Sequence, residues 1–291
     1  MTNKVFVITD ITSDLGKALA LNLARTGKVL VMVSPDADHG NTFLQEIRLA
    51  TQNFNSNLEL CDLSILSSVR NLAEILKSKY QKIDVLINNA AVYKRQRRVT
   101  VDGFEEMFAV NYLGPFLLTN LLLETLQIAV QENGGARILN ITAPSTSPLD
   151  FDDLHSEKNF NSIKAFEAAR TASLLFTFAL ARQLENTGIV ANAIHPDSAI
   201  IKKSFAPLRL FDWLSSRPSE KVAEGILQVA TAPELKVTGK FLQDGRAIEA
   251  PAYAYDLDIQ QRLWKVSEDL TQLTLTRGVT PINDPHLQER S

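Results

Sequence analysis

The sequence predicts an open, doubly wound α/β sheet, with short parallel strands and helices on both faces. Three observations carry this. Strand-like and helix-like stretches alternate along most of the 291 residues. The strands are short apolar runs without polar alternation, as expected where both faces of a sheet are covered. The first strand passes through a polar turn directly into an amphipathic helix, the unit that places an anion at a helix N-terminus. No composition break, internal repeat or low-complexity tract marks a second domain. Residues 1–273 are therefore expected to form one domain of about seven strands, and 274–291, with Pro281, Asp284 and Pro285, a flexible tail.

The first strand, Val5–Thr9, is mostly β-branched and aromatic. Its helix, Gly16–Thr26, follows a pattern set by Leu15, Ala18, Leu19, Leu23 and Ala24. Further strands are expected at Val29–Ser34, Asn57–Cys61, Val85–Asn88, Arg137–Thr142, Ile189–His195 and Lys240–Gln243. Between them the spacing predicts helices at Asn41–Thr51, Ile65–Tyr80, Gly103–Gln131, Ile163–Asn186 and Ser219–Ala230. Two segments interrupt this rhythm after strand C-termini, where ligands sit in open α/β sheets. Ala143–Ser162 is polar and turn-rich. Ser198–Arg217 mixes Phe205, Leu208, Phe211 and Trp213 with Lys202, Lys203 and Arg209, and reads as an apolar lid or as an ordinary packed excursion.

The totals narrow the field. An apolar fraction of 45% with 22% charged residues is ordinary for a soluble domain, and a net charge of −3 gives no reason to expect nucleic acid. The lone cysteine, Cys61, excludes an internal disulfide and reads as a small buried residue. The first strand begins too early for a signal peptide, and no apolar run approaches the roughly 18 residues of a membrane span. A cytoplasmic location is the expectation.

The first turn, Thr9-Asp10-Ile11-Thr12-Ser13-Asp14-Leu15-Gly16, resembles the TGxxxGxG fingerprint of short-chain dehydrogenases/reductases, with Asp10 and Asp14 in place of two glycines. Other stretches resemble the same family in the same order. Asn88-Asn89-Ala90-Ala91 is similar to its NNAG motif, and Phe108 to Gly114 to the helix bearing its structural and catalytic Asn. Leu175-Phe176-Thr177 and His195-Pro196 continue the match. Phe151-Asp152-Asp153-Leu154, Gly239-Lys240-Phe241 and Leu263 to Glu268 resemble the retinol-dehydrogenase-like branch. The resemblance covers about residues 4 to 273 and implies a single-domain, Rossmann-type parallel sheet.

It also implies a proton relay. In the family a Tyr exchanges the proton at the carbonyl, a Lys four residues later tunes that Tyr and holds the nicotinamide ribose, and a Ser orients the substrate. Residues i and i+4 share a helix face, and a phenol with pKa near 10 needs a neighbouring cation to act at neutral pH. Laid on this chain, the Ser position reads Ala143, the Tyr position Phe166 and the Lys position Arg170; Asn111 alone is retained. No tyrosine lies between residues 113 and 252, so no shift of alignment restores one. Thr142 and Ser145 are possible stand-ins for Ser. Tyr93 reads as a substitute acid or as a loop tyrosine packed on its ring face. His195 falls in a useful titration range but reads as a structural strand-end histidine.

The positions equivalent to the family's cofactor site are Asp10, Asp14, Gly16, Asp36, Asp62 and Asn89. Asp62-Leu63 follows the third strand, where the family meets adenine. Asp36, with no Arg beside it, favours NAD over NADP if either binds. Asp197 replaces the glycine of the family's His-Pro-Gly turn. Two acids near a pyrophosphate disfavour it, and Asp14 could instead accept the orphan amides of the first helix. No cofactor and no metal are therefore expected, with NAD(H) the one dinucleotide left open. Lys94, Arg95, Arg97 and Arg98 read as solvated loop surface or as a guide for an anionic ligand or acidic partner.

These readings lead to a dehydrogenase fold without ordinary hydride transfer, acting as a binding or scaffold pseudoenzyme for a protein partner or an apolar or anionic small molecule. The alternatives are a cofactor-independent enzyme using Arg170, Tyr93, Thr142 and His195, and an atypical NAD-dependent oxidoreductase. The helices Gly103–Gln131 and Ile163–Asn186 form the dimer face in relatives, so an oligomer is possible unless the C-terminal extension blocks it.

Overall fold

The computed structural model describes residues 4–145, 147–196, 219–232 and 237–273. Its strands are β1 (Val5–Thr9), β2 (Val29–Ser34), β3 (Ser56–Leu60), β4 (Val85–Asn88), β5 (Ala136–Ile141), β6 (Ile189–His195), β7 (Phe241–Gln243) and β8 (Arg246–Ile248). They form one sheet in the order β3-β2-β1-β4-β5-β6-β7-β8. All neighbours are parallel except β7 and β8. Val7 pairs with Val31 on one side and Leu86 on the other, so the strand order reverses between β1 and β4. That switch point opens a crevice at the strands' C-terminal ends.

Successive residues of each strand feed opposite cores. Val5 and Val7 pack with α3 (Leu66–Lys79), α5 (Gly114–Leu121) and α7 (Ser162–Gln183), through Leu72, Phe116 and Leu175. Phe6 and Ile8 pack with α1 (Asp14–Arg25), α2 (Ala37–Thr51) and α8 (Ser219–Thr231), through Leu19, Ile47 and Ile226. This explains the unbroken apolar strands.

Four strands lie at their expected bounds, and β3 and β5 are displaced by one residue. The eighth strand was not expected. Its hairpin turns through Asp244 (φ +48°) and Gly245 (φ +74°), a two-residue Asp-Gly loop of the kind that joins antiparallel strands.

The single helix expected at Gly103–Gln131 is instead a series. Glu105 caps α4 (Glu106–Phe108) by accepting from Phe108 N at 2.8 Å. A π-helical turn, Ala109–Leu113, follows, then α5 and, after a 54° bend, α6 (Leu123–Asn133). Pro115 has no N–H to give the Asn111 carbonyl, which accounts for the wide turn at that point. Among the described residues no single helix is long and apolar enough to cross a membrane.

A further helix, α9 (Leu257–Thr271), lies against α7. Asp256 caps it, and Trp264 packs edge-on against Phe116 at 5.2 Å and beside Phe176 at 5.8 Å. Tyr112 Oη and Ser267 Oγ share a buried hydrogen bond of 2.6 Å. The Ser198–Arg217 segment, Asp197 and the 274–291 tail lie outside the described residues.

Candidate functional site at the switch point

The β1–α1 turn keeps a tight shape without its glycines. Asp10 adopts φ +57°, the left-handed conformation that glycine takes freely and Asp tolerates better than most residues. Asn89 Nδ2 donates to the Asp10 carbonyl at 2.8 Å, while Thr9 Oγ1 accepts from Asn89 N at 3.0 Å and Ala90 N at 3.2 Å. The Asp10 carboxylate turns back to accept from Thr12 N at 2.9 Å and Thr12 Oγ1 at 2.5 Å. Gly16 is required by space: a Cβ there would lie 2.2 Å from the Asp10 carbonyl oxygen.

The helix cap differs from expectation. Ser13, not Asp14, is the N-cap of α1, its hydroxyl accepting from Gly16 N at 3.1 Å. Asp14 is exposed and faces an outer groove with Lys17, Arg25 and Glu220. The expected filling of the helix N-terminus by the Asp14 carboxylate is therefore corrected: one residue earlier, the hydroxyl of Ser13 reaches the amide with less charge and better geometry.

One cleft at the strand ends gathers Asp10, Ser13, Leu15, Asn89, Ala90, Ala91, Asn111, Ile141, Thr142, Phe166, Arg170, Ser173 and Pro196. Phe166, Arg170 and Ser173 come from one face of α7, spaced i, i+4 and i+7. Phe166 is buried at 2% exposure, and the Arg170 guanidinium lies over its ring, 4.2 Å from the centroid. Burial pushes the Arg170 pKa down to about 9, against a smaller opposing effect of Glu167, so the side chain stays cationic at neutral pH. Ala143 is buried beside Thr142, whose hydroxyl points to the Arg170 carbonyl at 3.4 Å. Asn111 spends its amide on Val92, accepting from N at 2.7 Å and donating to O at 2.9 Å.

Tyr93 stands behind this cleft. Its ring meets Phe166 edge-on at 5.4 Å, and its hydroxyl bonds to Ser162 Oγ at 2.9 Å. Ser145 accepts from Thr171 Oγ1 at 3.0 Å, tying the loop after β5 to α7. His195 is buried on β6 and stacked on Phe241 at 5.7 Å. Asp36 and Asp62 are not in the cleft. Asp36 caps α2 and contacts His39 Nδ1 at 2.9 Å; the His39 backbone and ring bonds hold its carboxyl below the usual range. Asp62 accepts from Ser64 N at 2.8 Å at the end of β3. Lys94 pairs with Glu106 at 2.9 Å and Arg97 with Glu157 at 3.4 Å, so half of the basic cluster is neutralised by neighbours. Sequence reasoning missed Ser13 as the cap and Ser173 as a cleft residue. The helical spacing from Phe166 was the signal for Ser173.

Residues 4–200 match the family described as short chain dehydrogenase. The chain belongs to that family. Human retinol dehydrogenase 13 is 35% identical over 286 residues, covering 93% of this chain and 85% of the relative. Mouse retinol dehydrogenase 12 is 35% identical over 275 residues, covering 92% and 86%. Human polyprenol dehydrogenase is 31% identical over 281 residues, covering 92% and 85%. An uncharacterised protein from Mycobacterium paratuberculosis superposes with a TM-score of 0.74 at 28% identity, covering 92% of this chain and 93% of that one. A Pseudomonas aeruginosa RhlG/NADP complex superposes at 0.64 with 20% identity, covering 84% and 96%, a likeness of fold.

The short-chain dehydrogenase fold is an NAD(P)-binding one, and the turn tests that fit. Its shape is right: the left-handed residue, the Asn89 brace and the close approach at Gly16 are all present. The expectation of no cofactor receives no support from this shape or from the relatives. Gly16 and the α1 N-terminus would face the pyrophosphate, and Asp36 the adenosine ribose. The Asp10 charge would oppose the phosphates there.

Proposed function

We propose that this short-chain dehydrogenase keeps its cleft as a binding site for an apolar small molecule and has given up the Tyr-based proton relay. The observation that carries this is the α7 face. Phe166 and Arg170 stand together on α7, at the positions that the family resemblance gives to the relay's Tyr and Lys. Hydride transfer from an alcohol leaves a proton to be removed, and a phenyl ring cannot take it. Arg170 remains a cation, and it stacks on the Phe166 ring where the relay would call for a phenol. When bound, NAD(P) would supply the hydride acceptor; the chain's own residues would then only orient the ligand. The relatives are named for retinol and polyprenol, both long apolar alcohols. The apolar cleft lining suits a ligand of that character.

The test is turnover of all-trans-retinol with NAD and with NADP, alongside calorimetric titration of NADH and NADPH. No turnover above the uncatalysed rate is expected, whether or not a nucleotide binds. Turnover with either nucleotide overturns the reading. It would favour an atypical oxidoreductase, for which the 35% identity to retinol dehydrogenases is the supporting observation.

A further inference from the structure

We propose that the exposed turn formed by residues 95–103 docks on an anionic lipid surface. Val99 is 53% and Val101 81% exposed at this turn. Arg95 and Arg98, just before them, are exposed and form no ion pair among the described residues, whereas Lys94 and Arg97 are each paired with a glutamate. The acids of the same loop are already used. Asp102 Oδ2 accepts from Leu66 N at 2.7 Å, at the start of α3, and Glu105 is buried as the cap of α4. The turn thus carries two apolar side chains and two uncompensated cations, on a chain whose net charge is −3.

Backbone bonds hold these valines outward. Thr100 N donates to Phe104 O at 2.8 Å, Gly103 N to Thr100 O at 3.0 Å and Glu106 N to Arg98 O at 2.9 Å. Val99 bridges antiparallel to Glu105, and Thr100 Oγ1 accepts from Phe104 N at 3.2 Å. Gly103 closes the turn at φ +87°, a left-handed conformation that suits glycine. The shape is therefore set before any partner arrives, and little ordering is needed on contact.

A bilayer fits this turn better than a protein does. Two valines on one turn supply far less than the roughly 800 Å² per partner of a stable protein interface. A bilayer asks for no complementary shape: the valines enter the boundary between headgroups and acyl chains, and the arginines meet the anionic headgroups. The same loop also builds the cleft. Val92 is bonded to the Asn111 amide and the Tyr93 ring meets Phe166, and the chain then continues into the turn. An apolar ligand gathers in lipid, so a docked turn brings the cleft to the phase that holds it. Docking does not depend on the loss of the proton relay, because a working dehydrogenase for an apolar alcohol would be served equally.

Vesicle flotation of the full chain tests this, with phosphatidylcholine vesicles that contain phosphatidylserine or lack it. Binding to the phosphatidylserine vesicles is expected to be at least about tenfold tighter, since each arginine near such a surface contributes about fivefold. It should weaken as salt is raised. Arg95→Gln with Arg98→Gln should abolish both the lipid preference and the salt dependence. Val99→Ser with Val101→Ser should weaken binding about tenfold and leave the salt dependence in place. If that pair does not keep its thermal unfolding transition, Val101→Ser alone, at the more exposed site, takes its place with a smaller loss. Equal binding of both vesicle types by the wild-type protein, or none, overturns the proposal. Full binding by the valine variant also overturns it, in favour of a purely electrostatic site for an acidic polypeptide. Full binding by the arginine variant overturns it by placing the contact elsewhere. Neither nucleotide nor retinol is present, so this result and that of the turnover assay fail separately.

Discussion

The β1–α1 turn and the cleft face of α7 both depart from the family pattern that the sequence resembles, and the consequences differ. At the turn, Asp10 takes the left-handed conformation of the glycine it replaces, and Asn89 braces its carbonyl. Shape survives there because backbone geometry depends on hydrogen bonds that neighbouring residues supply. On α7, shape survives as well: Phe166 fills a buried position and Arg170 stays on the cleft side. A proton relay would need a titratable atom that a phenyl ring lacks, which is why the proposed loss of the relay rests on α7 and not on the turn.

The sharpest way to break that comparison is to restore the chemistry within the retained shape. A triple variant, Ala143→Ser with Phe166→Tyr and Arg170→Lys, should raise retinol oxidation with NAD by about 10²–10⁴-fold over the wild-type protein, the usual range of a positioned acid–base group. Initial rates of NADH formation measure it. No gain would place the loss at the turn instead of the α7 face.

The second variant attacks shape alone. Gly16→Ala puts a Cβ 2.2 Å from a backbone oxygen and 3.1 Å from Asn89 Nδ2, so α1 must move. A loss of about 1–3 kcal/mol is expected in urea unfolding, as for an overpacked core site. A neutral result would mean that the turn is looser than its contacts imply.

The third measurement uses pH. Burial lowers the Arg170 pKa to about 9, well below the ordinary arginine range. Above pH 9, and up to that range, the unfolded chain holds more protons than the folded one, so the cost of burying the cation is present below pH 9 and relieved above it. The urea midpoint of the wild-type protein should therefore rise relative to that of an Arg170→Gln variant as pH goes from about 8 to about 10. Parallel behaviour of the two proteins would mean that the cation carries no burial cost.

Most of the sheet was legible in the sequence because strands buried on both faces cannot hide their apolar runs. The Asp244-Gly245 hairpin went unread: the Asp-Gly pair was its signal, but flanking strands of three residues each are too short to show a period. Helix α9 carries a polar outer face, and its partners Phe116 and Phe176 are far away in sequence, so its packing was not readable locally. The bend between α5 and α6 has no proline at Leu122 to announce it. Asn111, Thr142, Phe166 and Arg170, singled out from the family pattern, line one cleft, since a strand end and a helix face fix side-chain direction. The same pattern misdirected attention to Asp14. The family pattern marks that position, whereas capping depends on which side chain reaches the free amides, and Ser13 is nearer.

The smallest expected effect separates charge from shape at the turn itself. Asparagine tolerates the left-handed region as Asp does, and its side-chain oxygen can still accept from Thr12 N and Thr12 Oγ1. Asp10→Asn should therefore change unfolding stability by no more than about 0.5 kcal/mol. What it removes is one negative charge beside the expected pyrophosphate position. At about 5 Å that charge costs from about 1 kcal/mol in water to about 3 kcal/mol at a protein surface, and Asp10 is only half-buried, so the lower end applies. NADH should bind about three- to tenfold more tightly to the variant, and the gain should shrink as salt is raised. Tighter binding with unchanged stability would show a turn that is right in shape and wrong in charge. Unchanged binding would mean that Thr12 already screens the carboxylate, and that the Asp10 charge is not what sets nucleotide affinity.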